Sequence, residues 1–246
     1  MKPEDATYPP LDVAKPVAPG IWIVDSGPLS VMGIPVPVRM TVIQLGNGGL
    51  LLHSPTRFAF ELRKQLEQIG PIVHLVAPNS AHWTFLKEWQ NHVQGASTWA
   101  APGLRHRAKV RRAGVRIDHD LAAAAPEAWS KDLDQVLVPG AGRFTEVAFY
   151  HKKSRTMVLT DLVQLNLEPE KLPFIIRPAA RLLGVTAPVG KAPIYLRMII
   201  KRKHEQAKAA AERIVALQPK RVIFSHGRWF HKDGTTLLCQ SLAWLL

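Results

Sequence analysis

The sequence predicts an α/β fold. Short apolar runs of strand length alternate with segments that have helical periodicity, and several of those runs end on a histidine or an aspartate. The chain of 246 residues is 47% hydrophobic and 21% charged, which leaves ample apolar surface for a core and argues against wholesale disorder.

Residues 21–24, 40–45 and 50–52 read as strands, with Asn47-Gly48-Gly49 as a hairpin signal between the last two. Residues 56–69 follow as an amphipathic helix, with Phe58, Leu62, Leu66 and Ile69 on one face, Gly70 as its stop and Pro71 beyond. Residues 72–77 form a compact apolar strand, 83–93 a helix and 97–101 a strand closed by Pro102-Gly103. Residues 135–138 lead into Pro139-Gly140, and 147–150 with 157–160 make an antiparallel pair around 152–155. A helix over 204–217 is halted by Pro219, a strand covers 222–225, and a last helix spans 235–246 with Cys239 as a small core residue. The stretch 166–203 is Pro-rich and mixes apolar with basic residues. It reads as a long loop inserted into a single domain covering 1–246.

Composition bounds the function. The single cysteine excludes an internal disulfide framework and fits a reducing compartment, so a cytoplasmic location is expected. The first ten residues carry acids and prolines where a signal peptide would be apolar, and no apolar run reaches the ~20 residues of a spanning helix. The formal charge of +13 favours anionic partners: small anionic molecules, nucleic acid or an acidic membrane surface. The basic residues cluster at 105–116 and 191–203 without an aromatic nucleic-acid-reading motif, so each cluster reads first as a solvated basic face. There is no phosphate-binding P-loop, dinucleotide fingerprint or nucleophile elbow.

The strand ends carry the chemistry. The run 50–52 delivers His53-Ser54, 72–77 delivers Asn79, Ser80 and His82, 157–160 delivers Asp161, and 222–225 delivers His226-Gly227. Sites in α/β proteins gather where strands give way to loops, and imidazole and carboxylate are the donors a divalent metal takes. Taken singly, each is an ordinary loop histidine or turn-capping aspartate.

Six segments together resemble the metallo-β-lactamase superfamily, and more narrowly the family known as domain of unknown function 4336. They are Leu52-His53-Ser54-Pro55; Ala77-Pro78-Asn79-Ser80-Ala81-His82 running into Trp89; Ala101-Pro102-Gly103; Glu146 ahead of Phe149-Tyr150-His151; Ser154 through Leu162; and Ser225-His226-Gly227. The resemblance spans about residues 20–230. It implies a four-layer αββα sandwich, with two mixed β-sheets flanked by helices. It also implies metal ligands from an H-x-H-x-D-H segment, a later His, a bridging Asp and a final His.

Here His82, Asp161 and His226 match that pattern, whereas Ser80, Thr84, Phe85 and Ala141 stand where ligands are expected. The resemblance therefore implies at most one divalent metal (zinc, iron or manganese) on His82, Asp161 and His226. His53, Asn79 and Glu146 could supplement the set, with His53 and Glu146 as candidates for proton handling. The simplest reading of Glu146 is an ion pair with Arg143 or Arg155; the alternative is to orient a ligand. Three functions stay open: a metal-dependent hydrolase with a degenerate site, a metal-free protein that binds a small anion on the same fold, and a basic protein that contacts nucleic acid or membrane through 166–203.

Overall fold

The computed structural model describes residues 7–31, 34–142, 144–163, 166–172, 174–182, 184 and 186–246. Its strands are β1 (Lys15–Ala18), β2 (Ile21–Val31), β3 (Ile34–Gln44), β4 (Leu50–His53), β5 (Ile72–Ala77), β6 (Ser97–Ala100), β7 (His119–Asp120), β8 (Leu133–Pro139), β9 (Thr145–His151), β10 (Thr156–Val158) and β11 (Arg221–Ile223). Its helices are α1 (Phe60–Ile69), α2 (Leu86–His92), α3 (Ala108–Arg112), α4 (Arg177–Leu182), α5 (Ile194–Lys201), α6 (His204–Ala216) and α7 (Gly234–Leu242).

The strands form two mixed sheets. One runs β1 to β7 in chain order, antiparallel up to β4 and parallel from β4 to β7. The other has the order β11-β10-β9-β8, with only β10 and β11 parallel. Period-two alternation sorts the side chains into layers. Ile21, Ile23, Ile43 and Leu51 face Val147, Phe149, Val158 and Ile223 in the slab between the sheets. The neighbouring positions Met40, Val42, Leu50 and Leu52 turn outward onto Leu62, Leu66, Leu86 and Trp89 of α1 and α2. On the far side, Ala148, Tyr150, Met157 and Val222 pack against Leu196, Ala207, Ile214 and Leu238 of α5, α6 and α7. The result is the expected four-layer αββα sandwich.

Departures from the expected elements have local causes. The α1 helix starts at Phe60 rather than near residue 56, because the carbonyl of Thr56 accepts from Trp89 Nε1 and Phe58 N–H donates to Glu88, which holds this segment out of helix. Strands β2 and β3 are much longer than the apolar runs 21–24 and 40–45 suggest. Pro28, Pro35 and Pro37 interrupt the pattern, but β2 accommodates Pro28 at an irregular register between Ser26 and Leu29. The 166–203 stretch is not a plain loop. It contains α4 and α5, and α5 buries Leu196 and Ile200 against the second sheet. Trp89 is fully buried, and Trp83 and Trp229 pack at the edges of the core, as core tryptophans should. Cys239 is half-buried and free. No helix among the described residues is long and apolar enough to cross a membrane.

Phe149 stands at the centre of the inter-sheet slab with no exposed surface. Phe149→Ala should therefore cost about 3–5 kcal/mol in a urea titration. Phe174→Ala, at a side chain 81% exposed, should stay within roughly 0.5 kcal/mol.

Candidate metal centre

The sequence places four polar residues beyond strand ends, and the fold brings three of their side chains to one point. His82 follows β5, Asp161 follows β10 and His226 follows β11. One donor atom from each lies within 4.8 Å of the other two. His82 Nε2 is 3.3 Å from Asp161 Oδ1, and His226 Nε2 is 3.6 Å from the same oxygen. Two ligands on one tetrahedral ion at ~2.0–2.1 Å lie about 3.3 Å apart, so this spacing suits a shared cation.

The second nitrogen of each imidazole is engaged. His226 Nδ1 lies 2.7 Å from the Pro37 carbonyl oxygen, which can only accept, so Nδ1 carries the proton. In the neutral ring, Nε2 then presents a lone pair that a cation would join to the Asp161 carboxylate; in the imidazolium, Nε2–H points at that carboxylate directly. His82 Nδ1 lies 2.6 Å from Ser54 Oγ, which fixes that ring as well. Ser54 takes a left-handed backbone (φ 56°) just past β4, a conformation uncommon outside glycine, and its N–H donates to the Val76 carbonyl.

Asp161 is held from three directions. Asn79 Nδ2 donates to Asp161 Oδ2 at 2.7 Å and to Thr160 Oγ1, while Asn79 Oδ1 accepts the N–H groups of Ala81 and His82. One amide side chain therefore sets both the loop that carries His82 and the carboxylate opposite it. This bond pattern keeps residues 80–85 in turns and delays α2 to Leu86. Glu146 accepts from the backbone N–H groups of Thr160, Asp161 and Leu162 at 2.8–3.0 Å. The ion pair expected for Glu146 is thus replaced by backbone anchoring. Arg155 donates to the Gln218 carbonyl instead, and Arg143 lies outside the described residues.

The electrostatics follow from burial and these contacts. Burial would raise the Asp161 carboxyl, but the His82 charge and the bonds from His226 and His82 outweigh it and hold the group well below the usual carboxylate range. Glu146 is pushed up to about 7, first by burial and then by the Asp161 charge, against the opposing pull of the Thr160 and Asp161 amides. His53 is pushed down to about 3 by burial and by the neighbouring His82 charge. Its ring packs edge-on to Phe149, 5.1 Å between centroids, and it lines neither cavity beside the trio. Glu146 also lies behind those cavities, so both proton-handling candidates sit in the wall of the site and away from its opening.

Arg39 escaped the sequence reading. Arg39 is buried in β3 and donates through Nη1 to the carbonyls of Phe224 and Gly227, on either side of His226, while its Nη2 pairs with Asp25 Oδ1 at 2.6 Å. A lone arginine within an apolar strand was the available signal. Gly227 has φ +86°, and a Cβ there would come within 2.4 Å of the Asn166 carbonyl oxygen, so the turn after His226 requires glycine. Tyr195 of α5 lines both cavities that adjoin the trio. One, of about 290 Å³, includes Arg39, His82, Asp161 and His226; the other, of about 570 Å³, includes Ser80, Arg107, Ala141 and Asp161.

His53 gives a test with a definite sign. Its folded-state value lies below that of a free imidazole, so between about pH 3 and 6.5 the unfolded chain binds the extra proton and stability falls on acidification. Denaturant titrations between pH 5 and 6.5 should show a slope of up to about 1.4 kcal/mol per pH unit that is missing in His53→Leu. Parallel curves for the two proteins would mean that His53 titrates normally.

Comparison with known proteins places this arrangement. A metallo-β-lactamase from Pontibacter korlensis matches with a TM-score of 0.57 and 16% identity, covering 94% of this chain and 97% of that one. The metallo-β-lactamase FIM-1 from Pseudomonas aeruginosa, solved in a mono-zinc form, matches at 0.61 and 16% identity over 95% and 94%. The metal-soaked Flv1 flavodiiron core from Synechocystis sp. PCC6803 matches at 0.65 and 12% identity, over 94% of this chain and 60% of that one. At such identities the likeness shows the fold. No curated protein matches the chain. The model of the family described as Domain of unknown function (DUF4336) matches residues 19–187, well over half of the chain. The chain therefore belongs to the DUF4336 family, on a metallo-β-lactamase fold.

Proposed function

We propose that the protein holds one divalent metal (zinc, iron or manganese) on His82, Asp161 and His226, and hydrolyses a small anionic molecule there. The observation that carries this reading is the convergence of three donor atoms, one each from His82, Asp161 and His226, all within 4.8 Å of one another. With Nδ1 committed to the Pro37 carbonyl, His226 turns its Nε2 toward Asp161 Oδ1 at 3.6 Å, where a neutral ring would offer a lone pair to a cation. Three protein ligands with an open position is the pattern of catalytic sites, whereas closed structural sites use four. A bound cation would supply Lewis acidity and an activated water at neutral pH.

The chain's own residues do the rest. Ser54 and Pro37 fix the two rings, Asn79 and Glu146 fix the carboxylate, and the exposed side of the trio opens to a cavity that Arg39, Tyr195 and Thr84 help to line. Arginine and the overall charge of +13 favour an anionic ligand. A second metal has little to bind it, because Ser80, Thr84, Phe85 and Ala141 carry no imidazole or carboxylate. The site is degenerate in this sense. The same reading takes the chain as one domain with 166–203 inserted, in the reducing cytoplasm that a single free cysteine suits.

Protein purified without a metal-affinity tag should carry about one equivalent of zinc, iron or manganese by elemental analysis. Chelation should lower its melting temperature, and His226→Ala should abolish both the metal and the chelator effect. Metal-free protein whose melting temperature ignores the chelator would leave the fold as a metal-free binding protein.

A further inference from the structure

The larger cavity beside the trio has a composition of its own. Its lining joins Ser80, Ala81 and Asp161 with the basic Arg107 and Lys109, and with Phe144, Tyr195, Leu196 and Ile199. It meets the smaller cavity at Ala81, Asp161 and Tyr195, so a ligand lying in it would sit beside Asp161, the residue that His82 and His226 both approach. Arg107 opens the turn into α3 and donates to the Ser80 carbonyl, which ties it to the loop that carries His82. Lys109 is exposed, and neither Arg107 nor Lys109 holds an ion pair among the described residues.

We infer that this groove binds an amphiphilic anion: a phosphate seated on Arg107 and Lys109, carried on an aliphatic chain that lies over Phe144, Leu196 and Ile199. The chemistry selects both halves. Arginine offers a planar fork that matches phosphate oxygens and lysine a mobile point charge, so together they suit a dianion better than a single carboxylate. Phe144, Leu196 and Ile199 offer no side-chain polar group, and burying an alkyl chain against them returns about 0.8 kcal/mol per methylene. The volume, about 570 Å³, is within the usual range for a small-molecule site. Ser80 and Ala141, neither of which carries an imidazole or a carboxylate, line the same groove as the two basic side chains. The inference deepens the reading of the trio and rests on it for the reacting end of the ligand. The groove itself does not require a metal.

Calorimetric titration of the full chain with octyl phosphate and with inorganic phosphate tests this, on both chelator-treated and zinc-supplemented protein. Octyl phosphate should bind at least tenfold more tightly than inorganic phosphate in both preparations. Lys109→Gln should weaken both probes about five- to tenfold, as loss of a charge-assisted bond does. Ile199→Ala should narrow the gap between the probes. Lys220→Gln, in the separate basic cleft beside α7, should change neither. Equal weakening by Lys109→Gln and Lys220→Gln would reduce the effect to net charge and overturn the groove. So would equal affinity for the two probes, or no octyl phosphate binding. Binding that disappears on chelation would assign the anion to the trio instead. Binding that persists in protein unable to take up metal would keep the groove and sink the hydrolase.

Discussion

Three backbone N–H bonds to Glu146 are the constraint on which the site depends. The carboxylate projects from β9 and collects the amides of Thr160, Asp161 and Leu162 just as β10 ends. Without it those amides would be buried with no partner, at a cost of roughly 1–3 kcal/mol each, and the chain past β10 would have no reason to bend where it does. That bend aims Asp161 at His82 and His226. The same end of β9 also meets the first sheet, through the Asn79–Glu146 bridge and the bond from Val147 N–H to the Pro78 carbonyl. The anchor for the carboxylate is therefore also a seam between the sheets.

A second buried charge does the matching work on the opposite side. Asp25 and Arg39 pair across β2 and β3, and Arg39 spends its remaining Nη1 donor capacity on the carbonyls that flank His226. Buried ion pairs contribute little net stability, and losing one partner is expensive. Their value here is positional, since β3 supplies both the arginine and the Pro37 carbonyl that sets the His226 tautomer. The two histidines and the aspartate thus come from three loops: the Asp161 and His226 loops are pinned by Glu146 of β9 and Arg39 of β3, and the His82 loop by Ser54 and Asn79 just past β4 and β5. Such pinning at strand ends is how a site stays ordered without a helix or a disulfide beneath it.

Much of this was legible in the sequence, for a physical reason. Strands β4, β5 and β10 announce themselves as compact apolar runs, β4 and β10 being buried on both faces, and helices α1 and α6 because each buries one apolar face with the helical period. His82, Asp161 and His226 stood out because four apolar strands each deliver a His or Asp at the same end, although each residue alone is ordinary. The long β2–β3 hairpin did not show, because prolines at its irregular register and along β3 break the alternation that marks a strand. The α5 helix was hidden for the opposite reason. It is apolar on more than one face, burying Leu196 and Ile200 while Ile194, Tyr195 and Met198 stay exposed, so its periodicity is blurred. The role of Glu146 was misjudged because a sequence displays charged partners and conceals backbone amides. An arginine nearby in the chain looks like an ion pair until the loop geometry shows three closer donors.

The proposed site turns on one oxygen that two imidazoles approach, Asp161 Oδ1. The most direct measurement is anomalous diffraction at the zinc edge from crystals grown with zinc. A single peak bonded to His82 Nε2, Asp161 and His226 Nε2 is the predicted result. Two peaks in the pocket, or none within reach of these three atoms while zinc binds elsewhere, would contradict the account.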